Sequence, residues 1–457
     1  MTQEAAMIQP TRVKSLNDKA LRKGDFVLYW MQASPRAECN HALEYAVEKA
    51  NELRLPPVAF FGLTPSFPEA YERHYAFLLE GLAETGRALE KRGIRFVVRC
   101  VSPESGVRIL AERASLVVTD RGYLRIQRRW RDKAAAVLDC PLVQVETDAV
   151  VPVEEASPKE EYAAATIRPK IRKKLPDYLI SLKERKPAKD SLSMEFEERA
   201  NLDDIPSLLK RLRPDGAVKK TDCYTGGTAQ AKMHLQRFLR DKLDHFHDLR
   251  NNPTLDYVSH LSPYLHFGQV SPLYVAQKVA ETRSPGREAF LEELVVRREL
   301  SMNFVFYNGL YDAYEGLPAW ARKTLEAHKS DARPAAYSLS DLESARTDDP
   351  YWNAAQLEMM LSGKMHGYMR MYWGKKIIEW SRTPEEAFRT ALHLNNKYEL
   401  DGRDPNGFTG VAWCFGKHDR PWQERAVFGN VRYMNDRGLR RKFDADQYVR
   451  MIDVLKK

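Results

Sequence analysis

Three blocks in the C-terminal part of the sequence concentrate residue types that a plain hydrophobic core does not need. In the first, RNNPTLDYVSHLSPYLHFGQVSP from Arg250 to Pro272, Ser259, His260 and Ser262 lead into a helix opened by Pro263. Ser-Pro is a good N-cap and first-turn pair, and the free N–H groups of such a helix end are either capped or hold a phosphate. In the second, LEELVVRREL from Leu291 to Leu300, Glu293 and Arg297 stand four apart, the spacing of an ordinary helical ion pair. The third runs from Tyr351 to Trp422 and holds five of the eight tryptophans. Trp373 and Trp380 within it are two helical turns apart, about 10 Å along the axis. Indoles so spaced either pack a core or pass an electron by hopping, and periodicity does not choose. DGRDPNG, Asp401 to Gly407, has the acids and glycines of a turn and is predicted as a loop, with Arg370 a candidate counterion for Asp401. Neither a Ser-His-Asp arrangement nor a P-loop is present, so hydrolytic chemistry has no apparatus.

The elements that must position these blocks divide the chain into three stretches. In residues 1–150, β-branched and aromatic runs (Phe26 to Trp30, Val58 to Gly62, Ile94 to Cys100, Leu116 to Asp120, Leu142 to Val145) alternate with helical stretches. That alternation predicts a parallel, Rossmann-like sheet flanked by helices. No GxGxxG follows the first strand, which disfavours a nicotinamide enzyme. Residues 151–190 carry prolines at 152, 158, 169, 176 and 187 and the basic run KIRKK, Lys170 to Lys174, a composition that predicts a solvated interdomain linker. From 191 to 457 the periodicity is helical, including the amphipathic stretch Phe290 to Tyr307, and no strand is predicted after 195. The expected architecture is an α/β N-terminal domain, a linker and a larger all-helical domain without internal repeats.

With 457 residues, 43% hydrophobic and 30% charged, the chain can bury a sizeable core, which excludes disorder as its main theme. Its net charge of +9 suits a polyanionic partner without requiring one. Residues 411–457 concentrate that charge, with 11 basic against 6 acidic residues. The five cysteines are scattered without a CxxC pair, so neither disulfides nor a metal centre is expected. No apolar run is long enough to span a membrane, and the N-terminus lacks a signal-peptide core. A soluble, cytoplasmic protein with no membrane partner is the expectation.

The longest blocks resemble one family. YELDGRDPNGFTGVAWCFGKHDRPWQERAVFGNVRYM, Tyr398 to Met434, is similar to the C-terminal hallmark of class II cyclobutane pyrimidine dimer photolyases, within the photolyase/cryptochrome family. HLSPYLHFGQVS (His260 to Ser271), EELVVRREL (Glu292 to Leu300) and YWMQASPRAECNHALEYA (Tyr29 to Ala46) are similar to further blocks of it, in order, over nearly the whole chain. The resemblance implies a helical domain enclosing FAD in a U shape. It implies light-driven electron donation from the reduced, anionic flavin to a pyrimidine dimer flipped out of DNA. It also implies a monomer whose N-terminal domain can carry a light-harvesting chromophore of deazaflavin or folate type. The alternative is a cryptochrome-like flavin photoreceptor without repair activity.

Carried over position by position, the resemblance places Ser259, His260, Leu261 and Ser262 along the phosphate and ribityl region. Asp401, Gly402 and Arg403 lie along the cofactor, with Arg370 paired to Asp401. Phe246 stands where many relatives have a tyrosine that bonds the cofactor phosphate. Asn395, preferred over Asn406, sits beside the reactive flavin edge as a hydrogen-bond donor. Glu293 faces the dimer, and Met371 and Trp413 pack on the flipped bases. Arg250, Arg297, Arg298, Arg440 and Arg441 are candidates for the flanking phosphates. Trp373, Trp352 and Trp380, in that order from the cofactor outward, form the chain that supplies electrons. Trp320 and Trp422 are assigned to packing.

Overall fold

The computed structural model describes residues 8–456. Its N-terminal part is built on a six-stranded sheet of strands β1 (Val13–Ser15), β2 (Phe26–Met31), β3 (Pro57–Gly62), β4 (Arg95–Arg99), β5 (Ala114–Asp120) and β6 (Leu142–Val145), in the order β1-β6-β5-β2-β3-β4. Strands β2 to β6 are parallel, and β2, β3 and β5 are buried at every position, as a sheet covered on both faces requires. The antiparallel edge strand β1, only three residues long, carries too little pattern to be foreseen. Chain order reverses on either side of β2, and the crevice at such a point is where open α/β sheets take ligands. Here the Asp120 carboxylate, at the end of β5, accepts the N–H groups of Gln32 (2.9 Å) and Ala33 (2.6 Å) and ties down the loop leaving β2.

The segment 151–190 is not a solvated linker throughout. Ala164–Tyr178, which includes KIRKK, is a helix that buries Ile167, Ile171 and Tyr178 in the same apolar cluster as Phe246, Leu261 and Phe290. Pro169 and Pro176 read as breakers but are tolerated. The carbonyls they leave unpaired, four residues back at Ala165 and Arg172, belong to exposed positions that water can reach.

The remaining part is helical, with only isolated bridges among the described residues beyond 195. Its helix starts follow a repeated local rule, a capping side chain followed at once by proline: Ser271 before Pro272, Asp349 before Pro350, Thr383 before Pro384, Asp404 before Pro405. Gly363, at φ 80°, ends helix Pro350–Ser362. The stretch 287–307 is continuous but not uniformly α, because Glu292–Arg297 forms a π turn between helices Arg287–Leu291 and Arg298–Tyr307. Such turns rotate the following side chains out of α register and occur often at functional sites.

Candidate functional site

One cavity, of about 680 Å³, is enclosed by three successive helices of the C-terminal half. Helix Gly367–Trp380 contributes Arg370, Met371, Trp373 and Gly374, which its periodicity gathers on one side. Helix Pro384–Tyr398 contributes Ala391 and Asn395, and helix Pro405–Cys414 contributes Asn406, Gly407, Gly410 and Trp413. A β-carbon at Gly374 would come within 2.7 Å of the Cys414 sulfur, so glycine there lets two of these helices close together. Asn395 is 5% exposed and its amide nitrogen makes only a long 3.3 Å bond, to Asn396, which leaves donor capacity facing the cavity.

The charge at the cavity wall is shared among few groups. Arg370 bonds Asp401 at 2.8 Å and Glu399 at 2.9 Å. Burial pushes both carboxyls up. At Asp401 the Arg370 and Lys364 cations outweigh burial and hold it at about 2, whereas at Glu399 burial prevails and the carboxyl is raised well above its ordinary value. Lys364 also donates to the Ser262 hydroxyl at 2.9 Å.

A second cavity, of about 1180 Å³, lies on the other side of the segment 358–366 and is lined by Ser259, His260, Tyr224, His234, Lys242, Asp256, Lys364 and His366. His260, held at φ 58°, has its Nδ1 2.7 Å from the Tyr224 hydroxyl and its Nε2 2.6 Å from Asp256, which also accepts from Lys242 at 2.7 Å. Burial, reinforced by neighbouring cations, pushes His234 and His366 down to about 4 and lowers Lys364 as well. His366 Nε2 is buried without a hydrogen-bond partner. A pocket with Arg237, Lys242 and Lys364 in its lining, neutral imidazoles beside them and a buried ring nitrogen without a partner suits an anionic ligand such as a phosphate. Tyr224, Asp256, Lys242, Lys364, His366 and Glu399 were not singled out from the sequence. The one available signal was Lys364 and His366 within GKMHGYMR, just ahead of Arg370.

Behind the first cavity the indoles form a connected row. Trp373 and Trp380 lie on one helix, and Trp352 inserts between them from helix Pro350–Ser362. Trp352 is parallel to Trp373 with centroids 6.3 Å apart and meets Trp380 edge-on at 5.5 Å. Bonds fix them: the Trp352 indole N–H donates to the Trp373 carbonyl (3.0 Å), and the Trp373 N–H donates to Gln356 (2.9 Å).

Several expected placements differ. Ser262 is the first residue of helix Ser262–His266 and Leu261 its N-cap, so Ser262 caps nothing and instead bonds Lys364; Leu261 is 1% exposed and packs in the core. Phe246 is buried against Phe238 and Phe290, lining neither cavity. Gly402 packs its Cα on the backbone of 395–399. Arg403, at φ 58°, turns away from Arg370 and Asp401 and bonds the Asn396 carbonyl and His74, on the N-terminal side. DGRDPNG is only half loop, since Asp404 caps the helix that starts at Pro405. Arg298 is unavailable to a DNA phosphate: it is 6% exposed and donates to the Asp148 carbonyl, because the π turn rotates it inward. The Glu293–Arg297 pair does not form. Glu293 lies 3.6 Å from Arg250, and Arg297 pairs at 3.5 Å with Glu292, five residues back, as π geometry brings about. Trp422 is 41% exposed and does not pack in a core; Arg420 and Arg432 lie 5.3 and 4.9 Å from its ring. Arg440 and Arg441 are exposed, Arg440 resting over the Tyr351 ring.

A third cavity, of about 790 Å³, opens at the carboxyl ends of β2 and β3, against the helical half. Its walls are apolar (Met31, Phe61, Leu63, Phe67, Leu78, Trp130, Phe267), and Gln32 Nε2 and Arg403 Nη2, both on lining residues, are buried without partners. Among the described residues no group of three or more His, Cys, Asp or Glu is placed to hold a metal ion, and no helix is long and apolar enough to cross a membrane.

A parallel α/β domain joined to a helical domain with these cavities matches known proteins over almost its full length. Residues 27–190 match the DNA photolyase family. The chain is 52% identical to the deoxyribodipyrimidine photo-lyase of Methanothermobacter thermautotrophicus, covering 97% of this chain and 98% of that one. It is 42% identical to the enzyme of the same name from Arabidopsis thaliana, covering 98% and 94%. In fold it is similar to an archaeal photolyase from Sulfolobus tokodaii crystallised with two FAD molecules (TM-score 0.71, 16% identity, 93% and 89% covered). A Synechocystis cryptochrome is similar too (TM-score 0.72, 16% identity, 95% and 89% covered). The chain belongs to the DNA photolyase family.

Proposed function

We infer that this protein is a deoxyribodipyrimidine photo-lyase that uses FAD to reverse cyclobutane pyrimidine dimers in DNA under light. The observation that carries the reading is the placement, in one helical domain, of a polar-apolar cavity and an anion-suited cavity on the two sides of the segment 358–366, with a row of indoles behind the first. Bound FAD, reduced and excited by light, supplies the electron that opens the cyclobutane ring. The residues of the second cavity suit its phosphates: Lys364 and His366 offer donors, and His366 Nε2 would gain the partner it lacks, while His260 is held by Tyr224 and Asp256. In the first cavity Asn395 offers an amide N–H to the ring system. Arg370, held by Asp401 and Glu399, fixes guanidinium donors at the cavity wall.

Met371 and Trp413 line the same cavity and give a flipped pyrimidine pair an apolar and an aromatic surface. Glu293, 3.6 Å from Arg250 and outside the lining of that cavity, offers a polar contact to the lesion or its flank. Exposed Trp422, flanked by two arginines, suits stacking on unpaired bases beside the lesion. Trp373, Trp352 and Trp380 offer a path for charge between the cavity and the rim of the domain. The third cavity suits a planar, largely apolar light-harvesting chromophore with one or two acceptor groups for Gln32 and Arg403. The division at about residue 150 falls after the end of the sheet at β6, but a helical domain from 191 does not fit the packing: Met194, Phe196, Leu208 and Leu212 lie against the sheet and its helices, while helix Ala164–Tyr178 belongs to the helical core.

Irradiating the chemically reduced protein with blue light in the presence of dimer-containing DNA tests the reading. Restored thymine, in light only, is expected. A flavin-loaded, reduced protein that restores none would leave the photoreceptor alternative standing in its place.

A further inference from the structure

The basic run of helix Ala164–Tyr178 has no part in the chemistry above. The helix holds five basic residues against one acid, and its buried Ile167, Ile171 and Tyr178 fix which of them point outward. Lys170 and Lys174 are neutralised by Glu161 and Glu155. Arg168 and Arg172, one turn apart, converge instead on Glu292, at 2.7 and 3.9 Å, and Arg297 reaches the same carboxylate from the π turn at 3.5 Å. Three guanidinium groups around one carboxylate leave two positive charges unmatched. Lys173 beside them is exposed and has no ion-pair partner among the described residues. The Arg172 and Arg297 side chains are 62% and 44% exposed, so the excess charge faces solvent.

A third guanidinium added to a satisfied surface pair is repelled by the others and adds nothing to stability. Glu292 adjoins Glu293, the residue that the photo-lyase reading turns toward the lesion. The strap leading into the helix continues the strip: Tyr162, 54% exposed, donates to the Asp419 carbonyl at 3.0 Å, beside Arg420 and Trp422. Arginines held by one acid with open N–H edges suit the phosphate oxygens of a nucleic-acid backbone.

We propose that Arg168, Arg172 and Lys173, with Arg297, form a phosphate track that grips the DNA backbone on one flank of the lesion. The segment joining the sheet to the helical domain is then part of the DNA interface. This proposal rests on the photo-lyase reading and adds a surface to it. The Arg172→Ala/Lys173→Ala double variant touches neither cavity nor core. The measurement is its affinity for a dimer-containing duplex as a function of salt, alongside flavin content and single-turnover repair at saturating DNA. Each lost phosphate contact lowers the slope of log K against log salt by about 1, so a slope shallower by about 2 and binding weaker by about tenfold are expected. Flavin content and saturated repair stay at wild-type level, and Arg172→Lys/Lys173→Arg retains the slope.

A duplex cut short on one side of the lesion should bind the wild type and the alanine variant alike, while one cut short on the other side keeps the difference. An unchanged slope, or an equal loss whichever side is shortened, overturns the track. Wild-type protein that repairs the duplex while either result holds means the track alone is wrong, whereas wild-type protein that repairs nothing in light overturns the photo-lyase reading.

Discussion

Asp401 and Glu399 show how two carboxyls a few ångströms from the same arginine acquire different duties. Asp401 has Arg370 and Lys364 as its cations and is held low, while at Glu399 burial prevails over Arg370 and the Met365 N–H and raises the carboxyl. Asp401 is depressed from 3.8 to about 2, so its contribution to stability is fully present above pH 4 and is lost as pH falls toward 2. Asp401→Asn is expected to cost about 2–3 kcal/mol at pH 7, the low end for breaking a buried pair, because Glu399 can ionise and take over Arg370. Urea unfolding measures this, and the wild-type and variant stabilities should converge only as pH falls to about 2. Equal stability at pH 7 would mean that Glu399 alone already balances Arg370. The ion pair was readable from residue types, since an arginine upstream of an acid-rich turn invites pairing. The role of Glu399 was not, because nothing in YELDG reports that its side chain turns inward to the Met365 N–H and Arg370.

At the scale of elements, the cap-proline starts decide where the indoles sit. Asp349 accepts the N–H groups of Tyr351 and Trp352 at 3.1 and 3.0 Å, which starts the helix that carries Trp352. Its other oxygen accepts the hydroxyl of Tyr372, the residue before Trp373 on the facing helix. One carboxylate thus sets two helices against each other across the stacked rings. Asp349→Ala removes the cap, at about 1 kcal/mol, and leaves a nearly buried phenol unpaired, at about 1–3 kcal/mol more. A loss of about 2–4 kcal/mol by denaturant unfolding is expected. Photoreduction of oxidised flavin should slow several-fold, while repair by chemically reduced protein changes little, because Met371, Asn395 and Trp413 at the cavity make no contact with Asp349. Equal slowing of both reactions would assign the indoles to packing alone. Five strands were legible because β-branched runs fully buried between helices carry a strong signal, and Trp373 and Trp380 were visible as a seven-residue pair. The third ring completing the row comes from a different helix, so its insertion is a tertiary fact. The π turn was hidden for a related reason: the sequence reads as a continuous amphipathic helix, and the one-residue slip that buries Arg298 and parts Glu293 from Arg297 leaves no local mark.

At the scale of the whole molecule, the two halves are joined by polar groups that no periodicity reveals. Arg12 donates to the Val150 carbonyl (2.6 Å), Arg36 bridges Asp148 (2.8 Å) and the Gly268 carbonyl (2.9 Å), and Arg298 bonds the Asp148 carbonyl. Between them Glu299, 2% exposed, accepts the N–H groups of Val150 (2.6 Å) and Val151 (3.2 Å), where the chain leaves the sheet for the helical half. Burial raises this carboxyl to about 8, against the bonds and the Arg298 and Arg12 charges that pull it down. An acid whose folded value lies above its unfolded value binds more protons folded than unfolded between the two. Stability therefore falls as pH rises from about 4.5 to about 8 and levels off beyond. Glu299→Gln keeps an acceptor oxygen at the Val150 N–H but cannot ionise, so the variant should lose this slope. Its melting temperature relative to wild type is expected to increase steadily from pH 5 to pH 8, by several degrees in all. A constant difference across that range would mean that Glu299 is ionised throughout and that the seam is held by a charged carboxylate. In that case Arg12 and Arg298 act as its true counterions, and replacing either would destabilise the joint more at pH 8 than replacing Glu299 itself.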